Sequence, residues 1–347
     1  MISTSDITGA FYVRKAKPPW GKAAVASLTM GICMLAGAVL GHVEWGMLAT
    51  TGGFASLYVH NESYRVRAWK LPLVTLGLAA SLGLATLFAG HLWTLTCTLV
   101  LVSMAGTLVA GVLRLPPPGG YFFVLVCALG TGLPVAPGQV GLRVGLSLVG
   151  GAIAWLIAMA ACLLSSLRGL EPPVQAPAAR APVRSVLPAV LRIGVGVLVA
   201  TAIAAWLGNP RPYWVPLTCA SVLQGATMVA TMHRTIQRAA GTALGVLVAG
   251  AILALHPPVW CLIVCLMAFQ CIAEIMIVRN YGLAVIAITP LPLILIESGY
   301  PTMKAGILVN ARLLDTLLGC AIGIFIALLF RRHTDRHAAA SGAGQAR

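Results

Sequence analysis

The chain has 347 residues, of which 59% are apolar and only 9% charged, against about 25% charged in an ordinary soluble domain. With a mean hydropathy of +0.94, so few polar side chains cannot cover a soluble surface, which excludes a cytosolic enzyme, a secreted domain and a disordered chain. The net charge of +15 reads as the Lys and Arg excess of cytoplasmic loops rather than a nucleic-acid surface, and the apolar residues run in blocks without alternation, which excludes a barrel.

Residues 1–20 read as a short cytoplasmic segment. Arg14, Lys15 and Lys17 precede an apolar run too long for a signal-peptide core, so that run is expected to be a retained first span. A hydrocarbon core about 30 Å thick takes about 20 helical residues. On that measure a first membrane unit, 21–166, holds six spans, near 21–41, 45–60, 68–88, 92–113, 119–135 and 141–166. The second and fifth are short or broken, at Gly52-Gly53 and from Gly130 to Pro134. Arg65, Arg67 and Lys70 gather at the cytoplasmic start of the third, and Arg143 stands near the outer start of the sixth. A Pro/Ala/Arg-rich stretch, 167–185, reads as an exposed cytoplasmic linker.

A second unit, 186–330, holds six more spans, near 186–207, 212–230, 235–255, 258–277, 281–297 and 305–330. Pro216 and Pro290-Leu291-Pro292 interrupt its second and fifth. Tyr213 and Trp214, with Trp20, Trp45 and Trp260, read as interfacial belt anchors. Thr218, Ser221 and Gln224 lie inside a span, where polar groups bond neighbouring helices or line a path. Arg234 and Arg238, four apart, share a helix face. They serve either as snorkelling anchors or as a cationic vestibule that gathers anions. Glu274 lies within an apolar run with Arg279 five residues on, and is either half of an interfacial ion pair or a proton carrier. Tyr281 and Thr289 are candidate path-lining groups. Arg312 and Asp315, three apart, form either a local salt bridge or a charge site that includes a coupling acid. The tail, 331–347, reads as disordered and basic. The nine cysteines all sit in apolar runs, which fits small apolar residues better than disulfides or a metal site. No cofactor is expected.

With twelve spans both termini share one side. Of the 23 Lys and Arg, only Arg143, Arg211, Lys304 and Arg312 fall on the other, so the termini are expected to be cytoplasmic. The two units also resemble each other. Trp45 and Arg65 are matched 169 positions later by Trp214 and Arg234, and Arg143, Ser147 and Gly150 by Arg312, Thr316 and Gly319. Asp315 has no acidic match, since Leu146 takes its place. Tyr121 and Tyr281 open the two fifth spans at a slightly different offset. Two copies with an even number of spans insert the same way, as parallel repeats with a path expected near their interface. Cationic residues at both mouths of such a path favour an anionic substrate.

No P-loop, HExxH or GxSxG motif occurs, and no soluble domain is large enough for a separate active site, so an enzyme is not expected. The run Tyr213-Trp214-Val215-Pro216-Leu217-Thr218, Gln224, the stretch from Arg234 to Gly245, Arg279-Asn280-Tyr281-Gly282 to Pro290, and Arg312 to Gly319 resemble the fusaric acid resistance protein-like family. Its relatives include bacterial aromatic carboxylic acid exporters and, more distantly, plant aluminium-activated malate transporters. The resemblance spans most of 187–330, while the first unit fits more loosely. It implies an inner-membrane exporter of organic anions, often aromatic acids, with functional residues at Arg234, Arg238, Arg312, Asp315 and Thr316. Many bacterial members carry a sizeable cytoplasmic domain between and after the halves, which the short linker here does not provide. The expected partners are the lipid bilayer, small organic anions, a second copy of the chain and an envelope adaptor protein, with no nucleic acid. A channel-like anion conductance, or a non-transporting component of an efflux assembly, is the alternative.

Overall fold

Proline and glycine set most helix boundaries in the computed structural model, which describes residues 8–58, 63–169, 180–209, 213–225, 227–299 and 305–330. The expectations on Arg211, Lys304, most of the linker and the tail lie outside these residues. Pro18-Pro19 precedes α1 (Trp20–Val39), which stops before Gly41, at φ +76°. The following helices are α2 (Val43–Gly53, continued by a 3₁₀ turn, Phe54–Leu57), α3 (Tyr64–Phe88), α4 (Leu92–Val112), α5 (Tyr121–Thr131) and α6 (Val140–Leu167). Pro182 opens α7 (Val183–Trp206), and α8 (Trp214–Val222), α9 (Met228–Ala254), α10 (Val259–Ile277), α11 (Tyr281–Ile288), α12 (Pro290–Gly299) and α13 (Ala305–Leu329) complete the order. Strands are absent among the described residues.

Eight of these helices are long and apolar enough to cross a membrane. Among the described residues the other four expected spans are not full-length helices. The α2 helix has 11 residues, α5 has 11 and α8 has 9, and at 1.5 Å per residue each reaches only about half of a 30 Å core. The eleventh expected span is two pieces, because Pro290 has no N–H to continue α11 and starts α12 instead. Large apolar side chains such as Trp93, Leu101, Trp206, Leu247 and Val264 face outward, as they do against lipid.

The packing recurs. In the first half α2 and α3 lie on α6, and α5 lies on α3 and α4; in the second α8 and α9 lie on α13, and α11 lies on α9 and α10. Between halves α4 packs on α7, α1 on α10, α5 on α8, and α2 on α12. Two glycines allow the short helices to approach their long partners. A Cβ at Gly150 would run into the Ala49 carbonyl, and one at Gly319 would stand 2.6 Å from the Val215 carbonyl.

Candidate functional site

Where α5, α8, α9, α11 and α13 meet, the protein buries two arginines side by side. Arg238 of α9 and Arg312 of α13 are each 2% exposed. They are near enough for their like charges to repel, and Tyr121 from the first half lies within reach of both. Arg238 donates to the Tyr281 hydroxyl at 3.5 Å and is within hydrogen-bonding reach of Tyr121. Arg312 stacks on Trp214, its guanidinium carbon 3.9 Å from the ring centroid. Nε of Arg238, Nε and Nη1 of Arg312, and the Trp214 indole N–H meet no acceptor. The buried hydroxyls of Thr218 on α8, Thr242 on α9 and Thr289 beside Pro290 are also without partners. Among the described residues, no Asp or Glu makes an ion pair with either arginine. Two desolvated cations without a carboxylate are costly, and a pocket rich in donors and poor in acceptors is matched by an anion.

The other expected residues divide. Arg234 is half-buried beside this cluster. Its guanidinium carbon lies 4.8 Å from the Tyr281 ring centroid, and its Nη1 donates to Gln224 Oε1 at 3.3 Å. Gln224 in turn donates to the Pro118 carbonyl at 3.2 Å. Arg238 and Arg312, expected near opposite mouths, are neighbours in one cluster. The reason is depth: Arg238 stands about three turns and Arg312 about two turns inside its helix.

Arg65 is exposed, and Arg67 two positions on turns inward, donating to the Ala158 carbonyl at 3.4 Å. Arg143 is buried but committed to the first half, donating to the Pro134 carbonyl at 2.8 Å and to Thr86 at 3.4 Å. Arg279 binds the N-terminal segment, with its Nε on the Ala16 carbonyl at 3.3 Å and its own carbonyl accepting from the Arg14 N–H. Glu274 pairs with Lys22 of α1 at 3.1 Å rather than with Arg279, and accepts from Gln270 at 3.2 Å. Asp315 does not form an ion pair with Arg312. Its Oδ1 accepts from Asn209 at 2.6 Å, and its Oδ2 has no partner.

Three roles were not legible in the sequence. Trp214 and Tyr213 are not belt anchors: they are 1% and 4% exposed, because α8 is short and lies inside the bundle. Arg192 reaches from α7 to the Leu223 and Gly225 carbonyls at 2.6 and 3.1 Å, closing the C-terminal end of α8 where the backbone has no next turn. Asn280 caps α11 through its Oδ1 while its amide holds the Ala10 and Tyr12 carbonyls. With Gln237, which donates to Ala10 at 2.6 Å, it ties residues 8–17 across the end of α9.

Residues 199–326 match the model of the family described as fusaric acid resistance protein-like, and the stretches that carry the sequence resemblance from Tyr213 to Gly319 all fall inside that match. An uncharacterized membrane protein of Bacillus subtilis strain 168, YvaC, is 28% identical over 477 aligned positions, which take in 95% of this chain and 76% of that protein. That alignment is longer than this chain, so YvaC holds internal sequence with no counterpart here. An uncharacterized protein of Escherichia coli strain K12, YhfK, is 31% identical over 132 residues, 38% of this chain and 18% of its own length. No solved structure matches the chain.

Proposed function

We propose that this fusaric acid resistance protein-like membrane protein exports small organic anions, aromatic carboxylic acids in the first place, across the inner membrane. The observation that carries the reading is the Arg238–Arg312 pair, buried with unmet donors and, among the described residues, without an ion pair to an acid. Arg234, one turn before Arg238 on α9 and bonded to Gln224, extends the cationic surface from that pair.

We take the chain to cross twelve times, as two parallel six-crossing halves with both termini in the cytoplasm. The recurring helix pairings and the charge distribution support this. The short helices then make four broken crossings of the kind that builds transporter sites near the midplane. An inside-negative potential alone can drive an anion outward. One charge across about 100 mV gains about 2.3 kcal/mol, roughly a 50-fold gradient. A proton gradient is the other source, with Asp315 the better placed acid, since Glu274 is paired to Lys22.

The test uses purified protein in liposomes loaded with labelled hydroxybenzoate, with a membrane potential of either sign, and with and without a proton gradient. Efflux that follows the potential alone supports a uniporter. Efflux that needs the proton gradient supports a coupled carrier and directs work to Asp315. Steady currents far above carrier turnover would support the second reading, a channel-like anion conductance. No movement across a panel of acids would overturn the substrate class.

A further inference from the structure

Both halves carry the buried arginine of the sixth span, and each leaves its Nε unmet, but Arg143 has acceptors at both terminal nitrogens while Arg312 also lacks one at Nη1. Arg143 is committed to a backbone carbonyl and a threonine hydroxyl. Its matched residue, Arg312, lacks acceptors at Nε and Nη1. The rest of the first-half equivalent is also missing. Trp45, which matches Trp214, stacks on His42 at 4.1 Å instead of on an arginine. Position 69, which matches Arg238, is Trp69, 51% exposed. Leu146 stands where Asp315 would. The remaining element, Tyr121, opens α5 three residues after Pro118, whose carbonyl holds Gln224 and through it Arg234, and its phenol lies close enough to interact electrostatically with Arg238 and Arg312.

We infer that the chain binds one anion and not two. The first half has no site of its own, Arg143 is a structural brace, and Tyr121 is a positioning residue that the first half supplies to the site in the second. This rests on the reading of the Arg238–Arg312 pair as an anion site. A phenol between a wall that does not bind and an arginine that does fixes the direction of that guanidinium, and couples the site to the packing between halves.

The test is equilibrium dialysis of labelled benzoate against the full chain in nanodiscs. One benzoate per chain is expected. Arg312→Gln should abolish binding, and Arg143→Gln should leave the Kd of folded protein unchanged. Tyr121→Phe should raise the Kd about tenfold with an unchanged melting temperature, as the removal of a polar group beside a buried charge does. Two benzoates per chain would overturn the inference while leaving the anion site standing, as would equal loss in folded Arg143→Gln and Arg312→Gln. If Arg143→Gln does not fold, the wild-type stoichiometry decides. A Kd unchanged in Tyr121→Phe would remove the positioning role. No binding by the wild type would overturn the underlying anion site, and this inference with it.

Discussion

The Arg312 guanidinium stacks at 3.9 Å on the Trp214 ring, and both side chains are almost wholly buried. Stacking holds the cation by its face and leaves its in-plane N–H groups for another partner. With Arg238 beside it and no ion pair to an acid among the described residues, the arrangement fits a trade of stability for the capacity to bind. Arg312→Gln is therefore expected to raise the melting temperature or leave it unchanged while abolishing anion export. Added benzoate should stabilise the wild type by about 2.7 kcal/mol at one hundred times its Kd, and the variant not at all. Thermal unfolding by fluorescence checks both, and a sharp fall in the variant's melting temperature would show the pair to be structural.

Glu274 and Lys22 join α10 to α1, one on each side of the interface between halves. Both are mostly shielded, so breaking the pair leaves a charge without compensation, at a cost of up to about 3–5 kcal/mol, that of a fully buried pair. Glu274→Gln should lower the melting temperature and keep the pH profile of transport. The exchanged pair, Lys22→Glu with Glu274→Lys, should recover most of the loss. A pH profile that shifts in Glu274→Gln would return this residue to proton coupling.

Much of the architecture was readable because composition and span length are coarse, additive properties. Apolar runs locate the eight long helices to within a few residues, except that α9 starts seven residues before the expected 235. Gly52-Gly53 and Pro290 mark breaks, whereas Pro216 does not, because it sits in the first turn of α8, which runs on to Val222. The site was only half readable. Spacing on one helix shows that Arg234 and Arg238 share a face, but it carries no information on which helices meet. The juxtaposition of Arg238 with Arg312 and Tyr121 depends on that, as does the pairing of Glu274 with Lys22. Trp214 was misread for a related reason: a tryptophan at the start of an apolar run signals an interface only if the run spans the membrane, and α8 does not.

Asn280 does two jobs with one amide group. Its Oδ1 accepts the Gly282 and Leu283 N–H groups at 2.8 and 3.2 Å, and its Nδ2 holds the Ala10 and Tyr12 carbonyls. Asn280→Ala removes the α11 cap, worth about 1 kcal/mol, and two side-chain bonds of about 1 kcal/mol each. The expected outcome is a loss of about 2–3 kcal/mol, with faster amide exchange over residues 8–17. Asn280→Asp keeps the cap and loses the two donated bonds, so it should release the N-terminal segment alone. Hydrogen exchange that stays slow there in both variants would show that Gln237 and Arg279 suffice to hold it.

Gly319 and Gly150 occupy matched places, each under the backbone of a short helix, but their neighbours differ. At Gly319 an added Cβ would stand 2.6 Å from the Val215 carbonyl and 2.7 Å from Thr218 Cβ, so α8 must shift, and α8 carries Trp214. At Gly150 the obstructing carbonyl is that of Ala49 on α2, which carries no part of the arginine cluster. Both Gly→Ala variants should lose stability by about 1–3 kcal/mol, as overpacked contacts do. Only Gly319→Ala should also weaken benzoate binding, because moving Trp214 removes the surface on which Arg312 rests. Measuring melting temperature and Kd on the two variants together separates a general packing cost from a displaced site. Equal loss of affinity in both would mean that the halves shift as one body, so that an overpacked contact in either is felt at the Arg238–Arg312 pair.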